Sequence, residues 1–539
     1  MSSKLSKKQQ TTESALTTFR KYCGYLLDGA ISIYLVLIIA VMPFYNEEGY
    51  AHIGTDKAAF FRTVSLNGAK VILPLLAVWL ILLAVEKIRK KEHFQVKLSV
   101  TDGFALLYVF SLILSYLCSD YKTDALWGAL GWYMGFVPQM MLLAIYFLVS
   151  RCWKPRKWLF GLFLPVSAVV FLLGIINRFG VYPIDMKVEN TSFISTIGNM
   201  NWYCGYLVSV FFAGYYLVLQ NNMPRKQGYY MVQAFLYAYL MIGFASLITQ
   251  GSESGIFALG GVLLITFCMS AKEGNRMQQF WLITTLLCLT CTILWVIRRC
   301  FPERITFRDE LVDVLTNSVF PLIALGCSIV ILCFIRYENI HKRYAVKRGA
   351  IVARLALCIG IGCMVGTIGM IILNTLHPGI LGRLSGNSFF TFNATWGSGR
   401  GVIWPTGLKC FAEQNWLHKL VGVGPDCMAA YLYDARNAGI AAAVEARYGT
   451  VTLTNAHNEW MTVLIDAGML GCIGFVGMVL SASVNYLKQQ KNLMVGACGL
   501  CILAYTFNNI FSFQQAMNTA TIYVILGMGE CMYRKKDNA

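Results

Sequence analysis

IVARLALCIGIGCMVGTIGMIIL, residues 351–373, is followed at Asn374 by mixed polar and aromatic sequence that runs to Asn455. The first stretch has the length and apolarity of a bilayer-crossing helix, since about 20 residues span the hydrocarbon. The second interrupts the pattern and needs a reason, because loops beyond about 12–15 residues are usually functional or disordered. Thirteen further stretches read like the first. They lie near residues 26–44, 68–86, 101–118, 134–150, 158–176, 200–219, 231–249, 254–271, 278–297, 318–335, 457–485, 492–511 and 515–533. Composition agrees: of 539 residues 57% are hydrophobic and only 13% charged, against about 25% charged in a soluble domain. The alternating pattern of a membrane barrel is absent. The sequence predicts an all-α integral membrane protein with about 14 transmembrane helices and one large extracytoplasmic loop.

The basic residues set the expected orientation. With the N-terminus in the cytoplasm, the inner segments 1–25, 87–97, 151–157, 220–230, 271–277, 336–354, 486–491 and 534–539 hold 29 of the 45 Lys and Arg residues. They are also the shorter segments. Both termini are therefore expected inside, and the 374–456 loop outside. Residues 1–25 form a basic cytoplasmic tail, 26–373 carry helices 1–11, 457–533 carry helices 12–14, and 534–539 form a second cytoplasmic tail. The first span reads as an uncleaved anchor, since no small-residue cleavage site follows it. The +18 net charge is explained by this topogenic bias and by attraction to anionic lipid; no nucleic-acid partner is expected. The eighteen cysteines show no metal-ligand spacing, and no metal or cofactor is expected. Cys410 and Cys427 share the loop, so a disulfide between them is one option. Gly362/Gly366 and the series Gly468, Gly471, Gly474, Gly477 read as helix-packing faces.

The loop carries Trp396, Trp404, Trp416, Tyr431 and Tyr433 and few charges. Gly399-Arg400-x-x-x-Trp404, Gly422-Val423-Gly424, Ala456-His457-Asn458 and Asp466-Ala467-Gly468-Met469-Leu470-Gly471 follow in that order. Gly198-Asn199-Met200-Asn201-Trp202 stands at the start of the sixth span. This set, over roughly residues 195–480, resembles the O-antigen ligase and O-antigen polymerase family. The resemblance implies many helices, a large external loop, and metal-independent transfer of a glycan from polyprenyl pyrophosphate. The acceptor would be a glycan, lipid or wall polymer, and the place a bacterial cell (inner) membrane. It also marks Asn199, Asn201, Trp404 and Asn458 as candidate substrate contacts.

The residues themselves suit such a transfer. Negative charge grows on the departing pyrophosphate and must be stabilised; with no Asp-x-Asp pair in an outer segment, arginine is the remaining cation, its planar fork matched to phosphate oxygens. Arg400 is the first candidate, with Arg383, Arg436 and Arg447 to complete a clamp. The plainer reading of each is a loop-bracing salt bridge. His457 is the candidate general base. Asn455 is expected to cap the next helix, placing His457 in its first turn, where the positive helix end lowers the imidazole pKa; the plainer reading is an interfacial His bonded to the loop. Glu459 either orients that imidazole or favours the helix start. Many family members carry an Arg after the seventh span, where this chain has Gln250-Gly251-Ser252-Glu253-Ser254-Gly255. Glu253 thus stands where the cation is expected. Either Arg298, Arg299 or Arg447 replaces it, or Glu253 itself acts as base or acceptor ligand. Glu47-Glu48 reads as a solvated loop end or, less simply, a catalytic acid. The competing class is a lipid-linked oligosaccharide flippase, which would place essential cations inside the spans.

Overall fold

A computed structural model of the chain describes residues 2–93, 97–129, 131–187, 192–220, 228–304, 310–489 and 492–535. These residues are almost wholly helical, with one antiparallel hairpin of two-residue strands, β1 (Phe193–Ile194) and β2 (Gly198–Asn199). The apolar helices are α1 (Ser2–Val36), α2 (Ile53–Lys90), α3 (Val100–Cys118), α5 (Phe136–Cys152), α6 (Lys157–Arg178), α7 (Met200–Gln220) and α8 (Tyr229–Thr249). They continue with α9 (Glu253–Ser270), α10 (Gly274–Cys300), α12 (Phe320–Ile340), α13 (Val346–Leu376), α18 (Glu459–Lys488), α19 (Leu493–Asn508) and α20 (Ala516–Arg534). Each of the fourteen apolar stretches read from the sequence falls on one of them. Eleven helices among the described residues are long and apolar enough to cross a membrane; α5 and α19 are shorter apolar helices. Between the long ones lie α4 (Lys122–Trp127) and α11 (Glu310–Asn317). The long loop is itself folded, into α14 (Trp396–Glu413), α15 (Trp416–Val421), α16 (Met428–Leu432) and α17 (Ala438–Tyr448).

Burial grades outward from α7, whose side chains from Tyr203 to Gln220 are nearly all buried. It packs on α19, α8 and α20. Some of its polar groups find partners on neighbouring helices, as where Tyr215 meets Thr266 at 2.9 Å and Tyr203 meets Ser246, because in lipid an unmade hydrogen bond has no water to fall back on. By contrast α2, α12 and α13 expose most of their apolar side chains, as expected of helices whose partner is acyl chain. Gly362 and Gly366 lie on exposed α13 with nothing near their Cβ positions, so they form no packing face among the described residues. Gly471, Gly474 and Gly477 do: their Cβ positions meet Ser111, Tyr108 and Phe104 of α3, which makes α3–α18 a close crossing.

One end of the bundle collects charge. Asp102 pairs with Arg151 at 2.5 Å and Arg534 at 2.9 Å, Glu86 with Arg20 at 2.6 Å and Lys90 at 2.8 Å, and Asp28 with Arg156. Five of the basic residues in segments expected inside, Arg20, Lys90, Arg151, Arg156 and Arg534, are engaged in these pairs. The other end carries the loop and its fifteen-residue core of buried side chains, Cys410 and Cys427 included. Both are free thiols. The Cys427 thiol faces the Tyr121 and Pro425 carbonyls instead, so the disulfide option is not realised.

Candidate functional site

Arg400 owes its position to the three residues before it. Gly397 (φ 57°), Ser398 (φ 59°) and Gly399 (φ 96°) are successively left-handed, a run glycine makes affordable. They break α14 inside its first turn and start the right-handed part at Arg400. A Cβ on Gly399 would collide with the Tyr448 hydroxyl. The guanidinium then reaches inward. One terminal nitrogen donates to Gly397 O at 2.7 Å, and the other to Phe511 O at 2.7 Å. Its Nε is buried and unpartnered. Two of its five N–H donors are therefore spent on holding the group, leaving three for a ligand.

His457 is not in the first turn of α18. The cap is Asn458, whose side chain accepts from Met461 N at 3.1 Å. Asn455 Oδ1 instead accepts from His457 N at 2.9 Å, and His457 is itself left-handed at φ 47°. The chain therefore turns once more before the helix begins, and the imidazole stands beside the helix mouth rather than on it. Burial, helped by the nearby Arg400 charge, holds its pKa down to about 4 from the usual 6.5. The ring packs edge-on to Phe513 at 5.1 Å, and neither ring nitrogen is hydrogen-bonded among the described residues. Glu459 does not orient it. The Glu459 carboxylate accepts from Gln514 N, and its own N–H donates to Asn509 O at 2.9 Å.

These contacts converge on the turn Asn509–Gln515 between α19 and α20. Phe511 supplies the carbonyl for Arg400 and stacks on Trp404, centroids 5.9 Å apart. Phe513 faces His457 on one side and Trp132 on the other at 4.8 Å. Trp132 in turn meets Trp202 at 5.5 Å, so the Gly198–Trp202 landmark reaches the imidazole through a chain of edge-to-face rings. Sequence reasoning passed over this turn because the apolar stretches 492–511 and 515–533 all but absorb it. Its signal was present: Asn508-Asn509 and Gln514-Gln515 bracket Phe-Ser-Phe, four amides in the middle of apolar sequence.

The other candidates divide. Glu253 opens α9, exposed, and its charge opposes the larger effect of burial, which lowers the Arg400 pKa. Arg400 thus lies within electrostatic reach of Glu253 and of His457. Arg436 is exposed and committed to Asp434 at 2.7 Å and Asp120 at 3.2 Å. Arg383 and Arg447 are exposed, the latter lying over Tyr448. Arg298 is held by Asp313 and Thr316, both at 2.6 Å, and Arg299 lies over Trp295. None of these five has a contact with Arg400 or His457 among the described residues. Asn199 Oδ1 accepts from Asn201 N at 2.9 Å, shaping the start of α7. Trp404 keeps a buried, unpartnered indole N–H, whereas Trp416 is 74% exposed. Glu47 and Glu48 are exposed loop residues whose backbone N–H groups bond Asp56.

Two of the sequence landmarks meet each other. Val423 N and Gly424 N donate to Ile465 O and Asp466 O, each at 3.1 Å. The approach needs Gly468 at φ 67°, whose Cβ would strike the Leu420 carbonyl. This joint fixes the loop core against α18. Among the described residues no three His, Cys, Asp or Glu side chains form a group that could hold a metal ion.

No curated protein matches the chain. The family model described as O-antigen ligase matches residues 311–476, a stretch that contains Arg400 and His457 and the Gly422–Gly424 and Asp466–Gly468 joint, but neither Glu253 nor the Asn509–Gln515 turn. Over residues 311–476, about a third of its length, the chain is thus similar to the O-antigen ligase family.

Proposed function

We propose that this protein transfers a glycan from polyprenyl pyrophosphate to an acceptor hydroxyl on the extracytoplasmic face of a bacterial cell membrane, with Arg400 and His457 as the reacting pair. One observation carries the reading. Arg400 and His457, 57 positions apart in sequence, are held on the two phenylalanines of a single turn, with the imidazole kept neutral. A neutral imidazole with free ring nitrogens takes a proton from the acceptor O–H. The acceptor oxygen attacks the anomeric carbon, the bond from that carbon to the pyrophosphate oxygen breaks, and the configuration inverts. The electron pair stays on the pyrophosphate, where the three unspent N–H donors of Arg400 stabilise it. The His457 proton is then lost to solvent. The donor's lipid stays in the bilayer throughout. Glu253, beside Arg400, suits an acceptor hydroxyl better than the phosphate.

The test is transfer by the purified full chain in lipid discs, using synthetic polyprenyl-pyrophosphate glycans. Arg400→Ala and His457→Ala should insert normally and form no product; full product from both overturns the assignment. Turnover abolished by a chelator would overturn the arginine-based mechanism. The length distribution of cellular glycan in a deletion strain separates the two activities. Loss of all long chains means a polymerase, and build-up of lipid-linked polymer means a ligase.

A further inference from the structure

Two parts of the folded loop lie at the depth where a bilayer's hydrocarbon ends. α3 rises about 28 Å over its 19 residues, and α18 about 30 Å from Gly468 to Lys488, each close to the ~30 Å of a hydrocarbon core. α15 rests where both lengths run out. The His418 ring stands 3.4 Å from Cys118 O at the end of α3, and a Cβ on Gly468 would strike the Leu420 carbonyl. His418 and Val421 are buried, so the opposite side of α15 shows Trp416, 74% exposed, and Leu417, 50%. Along α3 the exposed Leu106, Phe110, Ile113 and Leu117 form one stripe, which ends a residue short of the His418 contact. α13 gives the second place, since from Arg354 to Asn374 it too rises about 30 Å. Residues 376–390 then stay tied to that end: Ser385 Oγ donates to Asn374 Oδ1 at 2.6 Å, Asn374 Nδ2 to Phe390 O at 3.2 Å, and Phe392 N to Thr375 Oγ1 at 2.8 Å. They expose Leu376, Ile380, Leu384 and Phe389, with Arg383 exposed among them. Trp396 Nε1 donates to Phe389 O at 2.9 Å, which hitches this segment to α14 and so to Arg400.

We propose that the folded loop is seated at two points on the lipid leaflet at its end of the bundle, with α15 and residues 376–390 lying in the headgroup layer. At that depth tryptophan and aliphatic side chains bury against the acyl boundary, while the indole N–H keeps to the headgroups. Arg383 suits a lipid phosphate there. A second copy of the chain is a poorer occupant. The exposed apolar groups collect at one depth on two separate spans, and the α3 stripe runs from the α15 contact down the surface that acyl chains cover. Held at both points, the loop does not lift as a lid, and α14 is carried at a fixed height over the leaflet. The seat does not rest on the glycan-transfer reading, and its test needs no substrate.

The experiment uses the full chain in discs of phosphatidylethanolamine and phosphatidylglycerol. The photoreactive residue p-benzoylphenylalanine, which couples to nearby C–H bonds on irradiation, replaces Leu417, Leu384, Ile473 or Ala442, one at a time. Ile473, 54% exposed on α18, reports the acyl region. Ala442 is exposed on α17, which packs on α14 and α16 within the loop. All four side chains are exposed, so the melting temperature should not change. Mass spectrometry then measures the share of each peptide that carries lipid. Yields at Leu417 and Leu384 comparable with that at Ile473, and severalfold above that at Ala442, are expected. A yield at either position no higher than at Ala442, or coupling to a second copy of the chain in place of lipid, would overturn the two-point seat. A second measurement needs no probe: the tryptophan emission lost to acyl-brominated lipid should be smaller in Trp416→Phe than in wild type. Equal loss in the two would overturn the seat of α15.

Discussion

Replacing Phe513 with Ala should move the acid limit of the proposed transfer from about pH 4 up into mild acid. Phe513 is 4% exposed and covers the His457 ring at 5.1 Å. Burial is the larger of the two causes that hold the imidazole near pH 4, and the Arg400 charge the smaller. Opening the ring to water therefore moves its pKa most of the way towards 6.5. At pH 5.5 a base with a pKa of about 4 is ~97% neutral, whereas one at about 6.5 is ~9% neutral. The variant should thus lose up to about tenfold in rate at pH 5.5 and nothing from this cause at pH 8. Truncating a buried Phe also loosens packing, by about 3–5 kcal/mol in a well-filled core, but that penalty does not follow the imidazole titration. The informative quantity is the ratio of initial transfer rates, variant to wild type, from pH 4 to 8. A ratio that stays flat, or a wild-type acid limb already at 6.5, would refute burial as the device that keeps the base neutral.

Arg400→Gln should lower transfer by about 10²–10³-fold, the usual cost of one lost transition-state donor, while raising the acid limb by less than Phe513→Ala does; initial rates across pH test both. Glu459→Ala leaves the Gln514 N–H without its carboxylate, so a loss of about 1–3 kcal/mol is expected in a denaturation assay, with transfer falling as the turn loosens. Gly468→Ala forces a side chain into left-handed backbone against the Leu420 carbonyl, and should destabilise by more than about 1 kcal/mol, whereas Gly362→Ala, facing open space, should leave the melting temperature unchanged. The depressed His457 pKa predicts one further trend. Its contribution to stability is complete above pH 6.5 and is lost as pH falls through about 4, which a pH series of thermal melts would detect.

The helices were legible because lipid forces every backbone group to be satisfied within its own segment, so hydropathy alone locates α1 to α20's apolar members. Arg400 itself was legible, through the Gly399-Arg400-x-x-x-Trp404 landmark, but the left-handed run at Gly397–Gly399 that aims it was not. What stayed hidden depends on contacts between distant segments. Arg400 and Phe511 are 111 residues apart, and nothing in either segment names the other. The helix start after the loop failed for a subtler reason. Asn455 and Asn458 are equally good caps by composition, and the left-handed turn at His457 chooses between them. Helix-spaced glycines likewise look alike in sequence, yet Gly474 meets α3 while Gly366 meets nothing among the described residues.

The turn at Asn509–Gln515 also sets when the protein can first act. Arg400 and His457 leave the ribosome well before the two phenylalanines that hold them. At about 5–20 residues per second, the 111 residues from Arg400 to Phe511 take roughly 6–20 seconds to make. Until α19 and α20 are inserted, the guanidinium lacks its anchor and the imidazole lies open to water. A chain cut short between residues 476 and 511, by a stalled ribosome or a nonsense mutation, would carry the whole of residues 311–476 and still lack the carbonyl that holds Arg400. On the proposed function, transfer begins only once the chain is made through Phe513, which full-length and truncated products assayed side by side would test.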